Sequence, residues 1–237
     1  MLIDLHAHIL PKVDDGPQKM DDALDIVRAL SRLGFTHLFA TPHYRHGNWA
    51  GLETGVVIEG VRKLRQSVAE AGLRTEIYPG MEYDLDHDLE EQAAARPDGA
   101  GHVLVDPGFY HVSPNMTSVL TPLVENGLKV ILVHPERNGH LTRNGEILTS
   151  LVNLGIRFLG NIGSLGGMYG RTVKRNMMKL LERDLYWGMA TDIHFANQVF
   201  LIEAGMNELE QTFGSAATDT FFRTNPREIV EKMEANP

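Results

Sequence analysis

The amino-acid sequence predicts an α/β fold in which helices cover a sheet of parallel strands. Short, almost wholly apolar runs alternate along the chain with segments of helical periodicity, and strands that are apolar on both faces are typical of a parallel sheet. About seven such units follow one another in 237 residues without a long linker or a shift in composition. We therefore expect one domain spanning residues 1–237, closed as a parallel barrel. An open, doubly wound sheet is the alternative architecture.

The expected elements follow the hydrophobic pattern. Strands are predicted at 2–6, 36–41, 75–81, 102–106, 129–133, 156–160 and 186–191. Helices are predicted between them at 20–33, 56–71, 84–95, 115–126, 143–154 and 171–184, and after them at 195–213, 215–222 and 226–234. In the first helix, Ala23, Val27 and Leu30 recur at helical spacing. The last helix begins with Asn225 as a capping residue and Pro226 in the first turn.

Composition excludes several classes of function. The net charge is −9 and no block of lysine and arginine occurs, so we expect no binding to nucleic acid or to an anionic membrane. Apolar runs such as "VILV" at 130–133 are too short to span a bilayer, and no signal peptide precedes the first strand, which predicts a cytoplasmic protein without membrane insertion. The chain contains no cysteine. Disulfides, thiolate metal sites and thiol nucleophiles are therefore excluded.

Nearly every predicted strand is followed by a side chain of a metal-ligating type. Because the carboxyl ends of parallel barrel strands share one face, these side chains should converge there. His6 and His8 are two residues apart and so point to the same side of a strand, and Asp192 and His194 repeat that spacing. The candidates are His6, His8, Asp15, His43, Glu82, Asp106, His134, Asp192 and His194.

Imidazole and carboxylate groups without sulfur suit manganese, iron or zinc. One ion needs about four to six ligands including water, so this candidate set predicts two or three metals bridged by a carboxylate and a hydroxide. Each residue also has an ordinary structural interpretation. An H-x-H pair can simply be hydrogen-bonded inside the fold, and Asp15 or Asp192 can cap a helix or complete a turn.

Other residues receive weaker expectations. His37 and His102 lie early in their strands and should face away from the site, whereas His46 and His111 lie in loops near it. The stretch "GNIGSLGGMYG" at 160–170 lacks the lysine of a phosphate-binding loop and is expected to be a flexible loop. The segment "RHGNWAGLETG" at 45–55 could form a rim of the site.

Several stretches, in this order along the chain, resemble the PHP (polymerase and histidinol phosphatase) superfamily. They are "DLHAHILPKVDDGP", "FATPHY", "YPGMEY", "VILVHPER", "GNIGSLGGMYG", "ATDIH" and "TNPREIV". More narrowly, the chain resembles the bacterial metal-dependent protein-tyrosine phosphatases of capsule and exopolysaccharide synthesis. That resemblance implies a distorted seven-stranded α/β barrel of PHP type with three divalent metal ions, commonly manganese, with iron or zinc as alternatives.

The resemblance also implies roles for individual residues. His6, His8, Glu82 and Asp192 would hold one ion; Glu82, Asp106 and His134 a second; and Asp15, His43 and His194 a third. Arg137 would bind phosphate, a task that suits its planar fork of donors. The sequence departs from the family at three places. Asp106 stands for a glutamate, Asn138 for a tyrosine, and "FANQVFLIEAG" has no counterpart of the family's further arginine.

The expected activity is metal-assisted hydrolysis of a phosphomonoester. A metal-bridging hydroxide would attack phosphorus in line, while the third ion and Arg137 neutralise the developing charge. A phenolate, with a pKa of about 10, leaves with less acid assistance than an alkoxide, which favours phosphotyrosine. The implied partner is a phosphotyrosine protein, for which the family suggests a bacterial tyrosine kinase.

Three alternatives remain at this point. The first is a small-molecule phosphatase of histidinol-phosphate type that uses the same metals. The second is a metal-dependent amidohydrolase, although no predicted strand ends in the bridging lysine typical of that class. The third is a metal-loaded binding protein without catalytic activity.

Overall fold

Parallel strands form the wall of the fold, as the apolar runs predict. The computed structural model describes residues 1–44, 52–86, 88–94, 96–97 and 100–235, so His46, His87 and most of the expected rim at 45–55 lie outside the described residues. The strands are β1 (Leu2–Ala7), β2 (Phe35–Ala40), β3 (His43–Tyr44), β4 (Glu76–Pro79), β5 (Glu82–Asp84), β6 (His102–Asp106), β7 (Lys129–Val133), β8 (Arg157–Asn161) and β9 (Gly188–Ala190). All seven ladders between these strands are parallel.

The strands form two sheets that together make a ring. Their orders are β1-β2-β4 and β3-β5-β6-β7-β8-β9. Backbone hydrogen bonds join the two across the interruptions, with Gly80 N donating to Ala40 O at 2.9 Å and Glu82 N to Pro42 O at 3.1 Å. β2 with β3, and β4 with β5, thus behave as two interrupted strands. Counted in this way, the nine strand segments correspond to seven strands of the barrel. This confirms the predicted parallel α/β architecture.

The ring closes where the chain leaves β9. His8 N donates to Ile193 O at 2.9 Å, and Asp192 N donates to His6 O at 2.8 Å. A parallel bridge between Ala7 and Ile193 completes the contact. The first and last strands therefore meet at the residues predicted to bind metal.

The helices lie close to their predicted positions. They are α1 (Met20–Arg32), α2 (Thr54–Glu70), α3 (Leu89–Ala94), α4 (Met116–Glu125), α5 (Gly145–Asn153), α6 (Ile162–Leu165), α7 (Gly170–Glu182), α8 (Val199–Phe213), α9 (Ser215–Asp219) and α10 (Asn225–Ala235). A π-helical turn at Thr220–Thr224 joins the last two. In the part of the chain that the structure describes, no helix combines the length and apolar character needed to cross a bilayer.

The expectation of a flexible loop at 160–170 is wrong for its first half. Residues Ile162–Leu165 form the buried helix α6, and a Cβ atom at Gly166 would lie 1.9 Å from Leu201 O. At Gly205 a Cβ atom would similarly lie 2.1 Å from Ile162 O. The glycines allow α6 and α8 to approach backbone to backbone, a use of glycine that its missing side chain permits.

Helix α10 covers the amino ends of the strands. Its Ile229 and Val230 belong to the same buried cluster as Ile3, Leu5, Phe39, Leu104, Ile131 and Leu159. Glu228 on the same helix pairs with Lys129 and Arg157, which begin β7 and β8. This end of the barrel is therefore closed by apolar packing, and the opposite end is left for the site.

Candidate metal centre

The carboxyl ends of the strands bring the nine predicted side chains to one end of the barrel. Three groups place one ligand atom from each member within 4.8 Å of one another. The groups are His8, Asp15, His43 and His194; His6, Glu82 and His134; and His6, His8 and Asp192. Asp106 belongs to none of them, and its Oδ1 lies 3.9 Å from His134 Nδ1. Eight of the nine candidates thus fall into compact groups, with Asp106 at the edge.

Glu82 lies at the centre of the cluster. One carboxylate oxygen is 2.9 Å from His134 Nε2 and 3.5 Å from His6 Nε2. The other is 2.8 Å from His43 Nδ1 and 3.4 Å from His8 Nε2. A carboxylate shared between imidazoles of different groups is suited to bridging two ions.

Unusual backbone conformations position two of these residues. His134 and Asp192 have φ angles of 35° and 50°, and among the described residues only two other non-glycine residues have positive φ. Left-handed backbone is costly for residues with a Cβ atom and tends to occur at functional sites. The site therefore contains local strain at the ends of β7 and β9.

A layer of hydrogen bonds orients the histidine rings. His6 Nδ1 lies 2.7 Å from Thr41 Oγ1, and His8 Nδ1 lies 2.6 Å from Asp14 Oδ2. His194 Nδ1 lies 2.9 Å from the carbonyl oxygen of Asp192. Metal-ligating histidines commonly use one ring nitrogen in this way, which leaves the other for the metal.

Buried atoms without partners test whether a metal fits here. The buried nitrogens His6 Nε2, His8 Nε2 and His134 Nδ1 make no hydrogen bond to any part of the chain that the structure describes. Such atoms are rare in folded proteins because leaving them unpaired is costly. Nitrogen and carboxylate donors are the ligand set of divalent manganese, iron or zinc. The residues present therefore fit a multi-metal site.

Electrostatics distinguishes the two neighbouring histidines. Burial lowers the pKa of His6, whose Nδ1 faces the neutral hydroxyl of Thr41. Burial acts on His8 in the same direction, but the Asp14 carboxylate outweighs it and raises the pKa of His8 well above its ordinary value. Asp14 therefore makes the His8 ring more basic, as a carboxylate behind a metal ligand does.

The acidic groups of the cluster are held ionised. Burial opposes this, yet the imidazoles of His6 and His43 keep the pKa of Glu82 well below its usual range. Hydrogen bonding to His194 lowers the pKa of Asp15 to about 2. By contrast, burial raises the pKa of Asp106. Glu82 and Asp15 are thus ionised, which is the state that metal binding requires of a carboxylate.

Arg137 lies at the edge of the cluster, on a 3₁₀ turn that follows His134. Its guanidinium is sandwiched between the rings of Phe109 and Tyr169, each centroid 4.2 Å away. One amino group donates to Asp192 Oδ2 at 2.9 Å. Stacking on two rings restricts the planar guanidinium and presents its remaining donors in a fixed geometry.

Sequence reasoning missed the supporting residues. Asn161 donates to Asp192 Oδ2 at 2.9 Å and Thr41 orients His6, but neither type suggests a site by itself. Asp14 adjoins the candidate Asp15, but the sequence does not indicate that it contacts His8. Asn138, at one of the departures from the family pattern, ties the 107–111 loop to the turn that carries Arg137, donating to Gly108 O at 2.9 Å and to His111 O at 2.8 Å.

Three other described histidines, His37, His102 and His111, belong to none of the three groups of ligand atoms. His37 stacks on Tyr78 with ring centroids 6.0 Å apart, and His102 contacts the ring of Phe39. His111 lines a neighbouring cavity together with Asp106 and Phe109. The expectation that His37 and His102 avoid the metal-binding end agrees with these contacts.

A cavity of about 290 Å³ opens over the cluster. It is lined by Asp15, His43, Asp106, Phe109, His134, Arg137, Tyr169, Asp192, His194, Phe195 and Gln198. Asp15 is 56% exposed, whereas Glu82 is almost fully buried. Access to the buried groups is therefore from the side of Asp15, His43 and His194.

A parallel α/β barrel with clustered histidines and carboxylates at the carboxyl ends of its strands defines the class of metal-dependent barrel hydrolases. A family model for capsular polysaccharide synthesis, CpsB/CapC, matches residues 2–231. This chain belongs to that family.

Relatives with assigned activities agree with the family. The tyrosine-protein phosphatase YwqE of Bacillus subtilis is 29% identical over 219 residues, covering 90% of this chain and 86% of YwqE. The tyrosine-protein phosphatase CpsB of Streptococcus pneumoniae is 23% identical over 242 residues, covering 97% and 98%.

Solved structures agree on the fold. A structure from work on B. subtilis YwqE and S. pneumoniae CpsB, described as metal-dependent tyrosine phosphatases, superimposes with a TM-score of 0.84 at 29% identity, covering 91% of this chain and 89% of that chain. The histidinol phosphate phosphatase of Lactococcus lactis has a TM-score of 0.53 at 14% identity, covering 87% and 93%. The second likeness concerns the fold alone.

Proposed function

We propose that this protein is a metal-dependent tyrosine phosphatase that removes phosphate from a phosphotyrosine protein. The observation that carries the proposal is the juxtaposition of the buried histidine and carboxylate cluster with Arg137 in one open cavity. A cluster of metal-ligand type beside a fixed guanidinium suits a phosphoryl group, which needs both cations and directed donors. The activities of YwqE and CpsB support the same reaction.

Three divalent ions, with manganese the expected metal, are proposed for the cluster. The three groups of ligand atoms support this number, with Glu82 shared between two ions and Asp106 beside His134. When bound, such ions lower the pKa of a coordinated water and offset phosphoryl charge. The protein itself contributes the orientation of each imidazole through Thr41, Asp14 and the Asp192 carbonyl.

Arg137 is proposed to bind and orient the phosphoryl group. Its guanidinium already holds Asp192 with one amino group, so the substrate would meet a donor fork that is fixed before it arrives. Fixed donors stabilise developing charge without reorganisation at the moment of reaction. The rings of Phe109 and Tyr169 limit its motion.

The mouth of the cavity suits a phenyl ring on a protein surface. Phe195 lines the cavity and is 51% exposed, and Phe109 also lines it. Aromatic side chains favour aromatic ligands through stacked or edge contacts. Because the cluster opens to solvent at Asp15, a side chain carried by a protein can reach it. A bacterial tyrosine kinase of the capsule system is the proposed partner, on the strength of the family alone.

The test compares three substrates on protein stripped of metal and reloaded with manganese: a phosphotyrosine peptide, a phosphoserine peptide and histidinol phosphate. We expect clear preference for the phosphotyrosine peptide, loss of turnover in His6→Ala, and a fall in kcat/KM of roughly 10²-fold in Arg137→Lys. The matched control, Arg143→Lys, changes an exposed arginine outside the cavity lining and should retain activity. Preference for histidinol phosphate would assign a metabolic substrate instead, and no turnover with metal bound would refute the phosphatase proposal.

A further inference from the structure

The segment that follows the last two cluster residues folds back on itself through one side chain. Gln198 Oε1 accepts hydrogen bonds from the backbone N–H groups of His194, at 2.8 Å, and Phe195, at 3.0 Å. The backbone N–H of Gln198 also donates to Phe195 O at 3.0 Å. Two contacts therefore fix the side-chain amide close to the cluster, and a third fixes the backbone that carries it.

The orientation of the Gln198 amide follows from those contacts. Since the backbone groups that it meets are donors, the atom facing them must be the oxygen, and Nε2 occupies the other side of the planar group. Within the described residues, Nε2 donates no hydrogen bond. Gln198 is only partly buried and lines the same cavity as Arg137 and Asp192. A fixed donor is thus available at the cavity wall.

Few side chains that line this cavity can donate a hydrogen bond to a phosphoryl oxygen. Asp15, Asp106 and Asp192 line the cavity, but an ionised carboxylate has no hydrogen-bond donor for a phosphoryl oxygen, while the Tyr169 hydroxyl is engaged with Asp192 at 3.4 Å. Apart from the histidines of the cluster, Arg137 is the one cationic side chain among the described lining residues, and one of its donors serves Asp192. Gln198 can bind a phosphoryl oxygen without adding charge.

We propose that the Gln198 side-chain amide is a second phosphoryl-binding group, donating a hydrogen bond from Nε2 to a phosphoryl oxygen that Arg137 also helps to hold. This inference rests on the proposed phosphatase function, because it assigns the phosphoryl group to the same cavity. It makes Gln198 a binding residue rather than a loop residue alone.

Two substitutions separate the donor from the loop contacts. Gln198→Glu keeps an oxygen for the His194 and Phe195 N–H groups but replaces the NH₂ group with an anionic oxygen. Gln198→Met removes the donor without adding charge. The control for charge is Asn197→Asp, an exposed neighbour that lies outside the cavity lining.

The experiment measures the binding of inorganic phosphate to manganese-loaded protein by calorimetry, with metal content and Tm recorded for each variant. We expect the Kd for phosphate to rise about 10- to 100-fold in Gln198→Glu and at least about 5-fold in Gln198→Met, as for loss of a hydrogen bond to a charged group. Asn197→Asp should stay within about 2-fold. Phosphate binding by Gln198→Met equal to that of the parent protein, or equal effects of Gln198→Glu and Asn197→Asp, would overturn the inference.

Failure of the inference and failure of the proposed function are distinguishable. If Gln198 contributes to phosphate binding but the protein hydrolyses none of the three substrates, the phosphatase proposal is refuted and the binding role of Gln198 stands. If Gln198→Met hydrolyses the phosphotyrosine peptide as well as the parent protein does, the phosphatase function stands and the binding role of Gln198 is refuted.

Discussion

The two ends of the barrel are made from the same strands and hold opposite kinds of side chains. At the amino end, Ile229 and Val230 of α10 pack into the apolar interior, and Glu228 meets Lys129 and Arg157 around them. At the carboxyl end, Glu82 and Asp192 are buried among imidazoles, several of whose nitrogens have no hydrogen-bond partner within the described chain.

The difference separates stability from chemistry. The ion pairs around α10 are partly exposed and contribute little, so apolar burial closes the amino end. The carboxyl end keeps buried polar atoms that a protein selected only for stability would pair or replace. Substitutions at the amino end should therefore change folding and leave activity intact, and substitutions at the carboxyl end should do the reverse.

The largest effect is expected for Glu82→Gln. The substitution preserves shape but removes the charge that four imidazoles face. Bound metal, measured by plasma mass spectrometry, should fall and kcat/KM should drop roughly 10³-fold or more, while far-ultraviolet circular dichroism stays unchanged. If Glu82→Gln keeps its full metal content and an activity within about 10-fold of the parent, the carboxyl end does not have the chemical role assigned to it.

At the other end, Ile229→Ala should lower the free energy of unfolding by about 2–5 kcal/mol, because it leaves a cavity in the barrel interior. Metal content and kcat/KM should not change. Urea denaturation followed by fluorescence measures the first quantity. The control is Glu231→Ala on the exposed side of α10, for which a change within about 0.5 kcal/mol is expected. A loss of activity at full folding would show that the two ends are coupled.

A smaller effect is expected for Asp14→Asn, which sharpens the comparison by leaving all nine candidate ligands in place. Asp14 orients His8 and raises its pKa. Removing such a carboxylate typically weakens metal affinity 10- to 100-fold. Titration with a competing chelator checks this, with exposed Asp21→Asn as the control. Unchanged affinity would mean that Asp14 serves the turn alone.

The smallest effect concerns Tyr78, which lies among the barrel interior residues near α10. Burial, together with Glu234, raises the pKa of Tyr78 to about 12. A raised pKa favours the protonated folded form, so this contribution to stability is present below pH 10 and disappears as the pH rises through about 12. Tyr78→Phe should lose less stability over that window than the parent protein. Denaturant melts at pH 9 and pH 11.5 measure the difference, and equal losses would contradict it.

Much of the metal-binding end could be predicted because its signals are local. The spacing of two residues predicts that His6 and His8 point to the same side of the chain. The same spacing predicts it for Asp192 and His194. The parallel topology then brings the strand ends together, and this follows from the alternation of strands and helices. The same reasoning placed His37 and His102 elsewhere.

The supporting contacts could not be predicted, because they depend on which distant segments meet. Thr41, which directly follows the adjacent strand β2, supports His6, and Asn161 reaches Asp192 from β8. A threonine or an asparagine in the sequence does not by itself indicate that it will contact His6 or Asp192. The helix α6 was missed because its glycines resemble a flexible loop, and only packing against α8 shows that they allow close backbone contact.

By itself, the sequence determined the class of fold and the nine candidate ligands, since hydrophobic periodicity and residue spacing are properties of short segments. The tertiary structure alone decided the grouping of those ligands, the sandwich of Arg137 between Phe109 and Tyr169, the free donor of Gln198, and the closure of the opposite end by α10. These features are distances between parts of the chain far apart in sequence, and such distances exist only once the barrel has closed.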